Sequence, residues 1–184
     1  MFVLADVNSM YTSCERVFRP DLSNKPLIVL SNNDGYVIAR SAECKSYIKM
    51  GAPFFEIQSL IKQKNVTVFS SNYPLYADFS DRFSSVMASL VPKIEIYSID
   101  ECFGIVEGMD ALTTWQELGL HIKKTVYQRT HLPIGVGISS TKTLAKLANH
   151  AAKIWKKTGG VVDLSSPSRQ KKLMALVPVG EVWG

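Results

Sequence analysis

The stretch "EIYSIDECFGIV", Glu95–Val106, sets two carboxylates side by side, Asp100 and Glu101, in a run otherwise rich in apolar and β-branched residues. Strand side chains alternate between faces, so neighbours on a regular strand point opposite ways. Two adjacent carboxylates serving one place therefore belong where the alternation breaks, at a strand end or a tight turn. The pattern supplies such a break. "IEIYSI" and "CFGIVE" read as the two strands of a hairpin, with Asp100 and Glu101 at the connection. Like charges this close raise each other's pKa unless a cation compensates. Taken alone, the pair is an exposed hairpin turn, where Asp is common. A divalent-metal site needs a third carboxylate from elsewhere.

The rest of the chain bounds the answer. A length of 184 residues suits one sizeable core, or two small lobes. Hydrophobic residues make up 46% and charged ones 20%, ordinary values for a soluble globular protein. No apolar run approaches membrane-spanning length, and "MFVLADVN" lacks a basic leader and meets Asp6 too early for a secretory signal. Cys14, Cys44 and Cys102 are odd in number and widely spaced, which favours reduced thiols in a cytoplasmic protein. His121, His131 and His150 show no metal-ligand spacing. The net charge of +5 is uneven: residues 141–184 carry eight Lys or Arg against Asp163 and Glu181. A basic portion on a nearly neutral body suggests a polyanion such as a phosphate backbone or a nucleotide, and otherwise a solvated helix face.

Periodicity gives a mixed α and β chain. "FVLADV" (2–7) predicts a buried strand, followed by a helix with Tyr11, Cys14 and Phe18 on one face. "PLIVL" and "YVIAR" flank the turn-rich "SNNDG" and predict a hairpin. "SAECKSYIKM" reads as a helix stopping at Gly51, with a second helix near 55–64 leading into the strand "VTVFS". "LYADFSDRFSSVMASLV" is amphipathic and ends before Pro92. After the carboxylate hairpin come a helix over about 110–130 and the strand "PIGVGIS". The helix "TKTLAKLANHAAKIWKK" then ends at Gly159-Gly160, and the strand "VVDL" follows. The later half thus reads β-β-α-β-α-β, a sheet with helices packed on one side.

The third carboxylate is now in view. Asp6 stands near the end of the first strand, where α/β folds commonly place their sites, and a buried acid there calls for a partner. Asp6, Asp100 and Glu101 together suit Mg²⁺, which takes hard oxygen ligands. A P-loop is excluded, because Thr141 occupies the place before Lys142 where that motif needs Gly, and no GxGxxG occurs.

"FVLADVNSMYTSCE", "YSIDECF" and "GVGISSTKTLAKLANHAAK", in that order, resemble the Y-family translesion DNA polymerases. "RPDLSNKPLIVLSNNDGYVIARSAE", "SSNYPLYADFSDR" and "QRTHL" extend the resemblance, most closely to the UmuC-type branch, over essentially all 184 residues. It implies an α+β fold: a palm-type sheet from 1–10 and 75–165, a small α/β fingers subdomain over 11–74, and the start of a truncated thumb at 166–184. The sequence departs from the pattern at four places: one residue fewer between Lys45 and "KMG", Cys102 where Ala is usual, Ala42 where many members carry Tyr, and, the largest, "VPVGEVWG", which stops where relatives continue into a thumb.

Carried over residue by residue, the resemblance gives Asp6, Asp100, Glu101 and the backbone carbonyl of Val7 as ligands of two Mg²⁺ ions, with Mn²⁺ as an alternative. Tyr11 falls where the family keeps an aromatic steric gate; on its own it reads as a core residue of its helix stripe. Met10 and Tyr11 open a helix whose backbone N–H groups suit an anion. Lys45 and Lys153 match positions that contact the incoming triphosphate, and Ile38 and Ala39 positions over the nascent base pair. The implied partners are primer-template DNA and a deoxynucleoside triphosphate, with room for a UmuD-type accessory subunit. Binding to a sliding clamp is not expected, because "VPVGEVWG" stops before the region that carries it. Two function classes stay open: a catalytic module adding deoxynucleotides to a primer 3′-OH in DNA damage tolerance, weak or inactive alone, and a polymerase remnant that binds nucleotide, DNA or a partner. A nucleotidyl cyclase shares the residue types, but the basic helix after "GVGIS" argues against it.

Overall fold

A computed structural model describes residues 1–181. The chain begins β1 (Phe2–Val7), α1 (Met10–Val17), β2 (Leu27–Leu30), β3 (Val37–Arg40), α2 (Phe54–Lys64), β4 (Thr67–Ser70) and α3 (Tyr73–Ala88). It continues β5 (Lys93–Ile96), β6 (Glu101–Ile105), α4 (Trp115–Thr130), β7 (Ile134–Ser139), α5 (Lys142–Ile154), β8 (Val161–Leu164) and α6 (Pro167–Met174). These elements form two compact units: Met1–Asn8 with the chain from Ser80 onward, and Ser9–Phe79. Val182–Gly184, the end of the stretch read as a thumb, lie outside the described residues.

The larger unit is built on a five-stranded sheet in the order β5-β6-β1-β7-β8. β1 is central, antiparallel to β6 and β7, and β8 runs parallel to β7. A strand covered on both faces reads as a continuous apolar run, which is what "FVLADV" offers until Asp6. Alternation sends Val3, Ala5 and Val7 to one face and Phe2, Leu4 and Asp6 to the other. Behind the first face lies α4, its Gly119 against the side chains of Val136, Ile138 and Val161. The second face receives α5 through Gly135 and Gly137 of β7. A methyl group at 137 would sit 2.3 Å from both the Ala145 carbonyl oxygen and the Asn149 nitrogen, so helix backbone rests directly on strand backbone. Leu147, Ala148 and Ala151 of α5 then bury against Leu164, Leu173 and Val177, which seats α6.

In the smaller unit β2 pairs antiparallel with β3, as the predicted hairpin requires, and parallel with β4. Its core gathers Ile28, Leu30, Val37, Cys44, Ile48 and Val66, with Ile57, Leu60 and Ile61 of α2 packed against them. All three cysteines are free and buried.

Three stretches differ from expectation. "SAECKSYIKM" forms only a short 3₁₀ turn, Ala42–Cys44. The neighbouring chain takes over its hydrogen bonds: the Arg40 guanidinium donates to the carbonyls of Lys45 and Ile48, and the Ser41 hydroxyl accepts from the Leu27 N–H at 3.0 Å. α4 starts at Trp115, not near 110, because Thr114 and Glu117 form a reciprocal capping box. α6 was not expected, although Ser166-Pro167 is a recognisable helix start. Among the described residues, no helix is long and apolar enough to cross a membrane.

Candidate active site

The hairpin geometry answers the question raised by the paired carboxylates. β5 and β6 pair antiparallel, Asp100 ends their connection, and Glu101 opens β6. The Ser98 hydroxyl organises this turn, donating to Asp100 Oδ1 at 2.7 Å and accepting from the Glu101 N–H at 3.1 Å. Across the sheet, Asp6 sits directly opposite Glu101 in the β1–β6 register. Residues directly opposite in an antiparallel pair project to the same face with neighbouring Cβ atoms. Asp100 is tied to the same strand end, its carbonyl accepting from the Val7 N–H at 2.9 Å. Asp6 is thus brought, from more than ninety residues away in the chain, to the strand end where the adjacent Asp100 and Glu101 lie.

α5 brings cations to the same face. The absence of side chains at Gly135 and Gly137 lets it approach, and buried Asn149 anchors it, donating from Nδ2 to the Gly135 carbonyl at 2.8 Å. The Lys153 ammonium pairs with Asp6 Oδ2. Lys146 Nζ lies 3.5 Å from Glu101 Oε2 and 4.3 Å from the centre of the Tyr97 ring. Asp6, Glu101, Lys146, Asn149, His150 and Lys153 are among the residues lining a cleft of about 240 Å³.

Asp6 is 8% exposed, and its Oδ1 is buried with no hydrogen-bond partner. Burial pushes its carboxyl up to about 6; the Lys153 ammonium works against that rise, and the Asp100 and Glu101 carboxylates add to it. Among the described residues, no three His, Cys, Asp or Glu side chains converge as a group able to hold a metal ion. The reason is local: Asp100 is turned to Ser98, while Asp6 and Glu101 each face a lysine. The donors nevertheless fit a hard divalent cation. All are oxygens, two come from opposed strand positions, and one is buried and orphaned, a state that native structures seldom leave uncompensated.

The remaining expected site residues belong to the smaller unit. Tyr11 stacks on Tyr76 with ring centres 4.3 Å apart and meets Tyr73 edge-on at 5.7 Å. Met10 is buried and accepts a contact from the Cys14 thiol. α1 has no side-chain cap; Ser9 precedes it in the left-handed region at φ 49°. Ile38 and Ala39 are neighbours on β3 and so project to opposite faces, Ala39 buried and Ile38 partly exposed. Lys45 is exposed, just past the 3₁₀ turn. Lys146 was missed from the sequence, where it passed for a solvated helix lysine. Its four- and seven-residue spacings to Lys142 and Lys153 were the available signal.

Residues 5–150 match the model of the impB/mucB/samB family. Over its whole length the chain is 55% identical to Protein UmuC of Salmonella typhimurium, of which it spans 44%. The solved structure of DinB from Sulfolobus solfataricus superposes on the whole chain with a TM-score of 0.85 at 24% identity, over 54% of that protein. The insertion ternary complex of Dbh DNA polymerase gives the same TM-score at 23% identity and also covers 54% of that chain. The chain spans about half the length of the relatives it matches, and it belongs to the impB/mucB/samB family.

Proposed function

We propose that this chain is the catalytic module of a translesion DNA polymerase, joining a deoxynucleotide to a primer 3′-OH. The observation that carries this reading is the opposition of Asp6 and Glu101 across β1 and β6, with an orphaned carboxylate oxygen and two lysines beside it. In this reading residues 1–10 and 75–165 are the palm, 11–74 the fingers, and 166–184 the beginning of a thumb.

Asp6, Asp100, Glu101 and the Val7 carbonyl would hold two Mg²⁺ ions, which supply stabilisation of the attacking and leaving oxygens of the phosphoryl displacement. The carboxylates then act as ligands and not as a proton-shuttling pair. Lys153 takes the phosphates of the incoming nucleotide; in the smaller unit, the Lys45 ammonium and the N–H groups that open α1 at Met10 are each suited to an anion. Tyr11 presents a flat ring held by its stack on Tyr76, and such a ring excludes a ribose 2′-OH. Ile38, the outward-facing residue of its pair, contacts the new base pair; Ala39 supports it from the buried side. A UmuD-type protein is the accessory partner this branch implies.

The test is primer extension. Fused to the remaining C-terminal portion of Salmonella UmuC, the chain extends a primer with Mg²⁺; alone it binds primer-template weakly and steeply salt-dependently, since phosphate contacts dominate such affinity. A fusion that binds DNA and nucleotide yet adds none would move the chain to the binding class. Tight, salt-resistant DNA binding by the chain alone would overturn the need for further contacts.

A further inference from the structure

Three carboxylates on one face of the larger sheet are each answered by a lysine from a single stripe of α5: Glu95 by Lys142, Glu101 by Lys146 and Asp6 by Lys153. The outer pair differs from the inner two. Lys142 and Glu95 are 42% and 47% exposed, an ordinary surface ion pair of small net worth. The inner side chains are drawn out of water, at 12% and 19% for Lys146 with Glu101, and 31% and 11% for Lys153 with Asp6. A carboxylate that far from water needs a cation beside it.

This inference rests on the reading of Asp6 and Glu101 as cation ligands. We propose that Lys146 and Lys153 are the internal counter-cations of the carboxylate site and give up Glu101 and Asp6 when divalent cations load. Cation entry and lysine release are then a single exchange. The oxygens that the lysines hold, Glu101 Oε2 and Asp6 Oδ2, are among those a divalent ion would take, and an ammonium held as close to that ion as to the carboxylate would be repelled by it. Lysine can make such a move, since its charge sits on a flexible four-carbon stem. The stem of Lys153 runs along Gly135, where an added methyl group would come within 3.1 Å of its Cγ and 3.5 Å of its Cε, and the ammonium beyond is the part that has to move. The released ammonium groups remain on the cleft that also holds His150 and Asn149, where the phosphates of a nucleoside triphosphate would meet them. Lys146 thereby becomes a positioning residue for loading the site.

Mn²⁺ binding to the 184-residue chain without nucleotide, followed by electron paramagnetic resonance, tests the exchange. Because coupling between two ligands of one site is reciprocal, Lys146→Met and Lys153→Met should each raise Mn²⁺ affinity about tenfold. Lys142→Met removes the same charge one turn away and should change affinity less than about twofold, as a screened surface charge does. Lys146→Arg keeps the cation and should bind Mn²⁺ no more tightly than the parent. In nitrogen-resolved NMR of the lysine ammonium groups, added Mg²⁺ should shift Lys146 and Lys153 and leave Lys142 in place. Equal gains at all three lysines, a gain in Lys146→Arg, or unshifted ammonium signals at Mg²⁺ saturation would overturn the exchange while leaving the metal-site reading standing. Failure of parent and variants alike to bind Mn²⁺ would end both.

Discussion

Two buried carboxylates, one in each compact unit, are settled in opposite ways. Glu15, on α1, is 9% exposed and accepts a hydrogen bond from the Tyr76 hydroxyl at 2.8 Å. That bond fixes a ring which in turn stacks under Tyr11. Asp6, on β1, is 8% exposed, yet only one of its oxygens has a partner, and that partner is a charged lysine. Burial is nearly equal, so burial alone does not separate an acid fixed in the architecture from one open to a ligand. The distinction lies in what satisfies the group. A neutral donor locks Glu15 into the architecture, whereas an exchangeable cation and an empty lone pair leave Asp6 open to a ligand.

Substitution at the two acids should separate them most. In the fusion described above, Asp6→Asn or Asp100→Ala should lower primer extension at least about 1000-fold, about 4 kcal/mol of transition-state stabilisation. Glu15→Gln, which keeps an acceptor for Tyr76, should extend primers at nearly the parental rate. Normal extension by Asp6→Asn would erase the contrast.

Next in size is the support beneath Asp6. Gly137→Ala drives a methyl into the backbone of α5 and should cost about 3 kcal/mol in urea unfolding, the upper range for overpacking. A loss under about 1 kcal/mol would show that α5 yields easily, since tolerant sites absorb an added methyl at little cost.

Support in the smaller unit is weaker. Tyr76→Phe leaves Glu15 without its hydroxyl donor and should cost about 2 kcal/mol of stability. Mn²⁺ affinity measured on the same variant should not change; a change would mean that the two acids are not independent.

The smallest effect concerns selectivity. Tyr11→Ala in the fusion should raise ribonucleotide incorporation relative to deoxynucleotide about tenfold, or about 1.4 kcal/mol. Equal discrimination by variant and parent would reduce Tyr11 to a packing residue of its aromatic cluster.

Much of this was legible before the fold was known, for physical reasons that vary along the chain. β1, β7 and the carboxylate hairpin announce themselves because buried strands leave apolar runs and their breaks are short. The convergence of Asp6 with Glu101 could be guessed only as a need for a third acid; its register depends on strand pairing between distant segments, which local pattern does not encode. Lys146 escaped because a lysine on an amphipathic helix looks the same whether it faces water or a carboxylate. The segment 41–50 misled for a related reason: its composition favours a helix, but Arg40, lying outside it, captures its carbonyls.

The contact between α5 and β7 has a consequence for how the larger unit opens. Where backbone lies on backbone, no side-chain rotation can admit solvent, so the amide protons beneath become accessible only if the helix lifts away as a body. Such a seam behaves as a single cooperative unit. In hydrogen–deuterium exchange, amides of Val136–Ile138 and of Ala145–Asn149 should therefore exchange late and together, with a common dependence on denaturant. β7 would then act as a slow clock, keeping time for the acids beside it for as long as the helix stays seated.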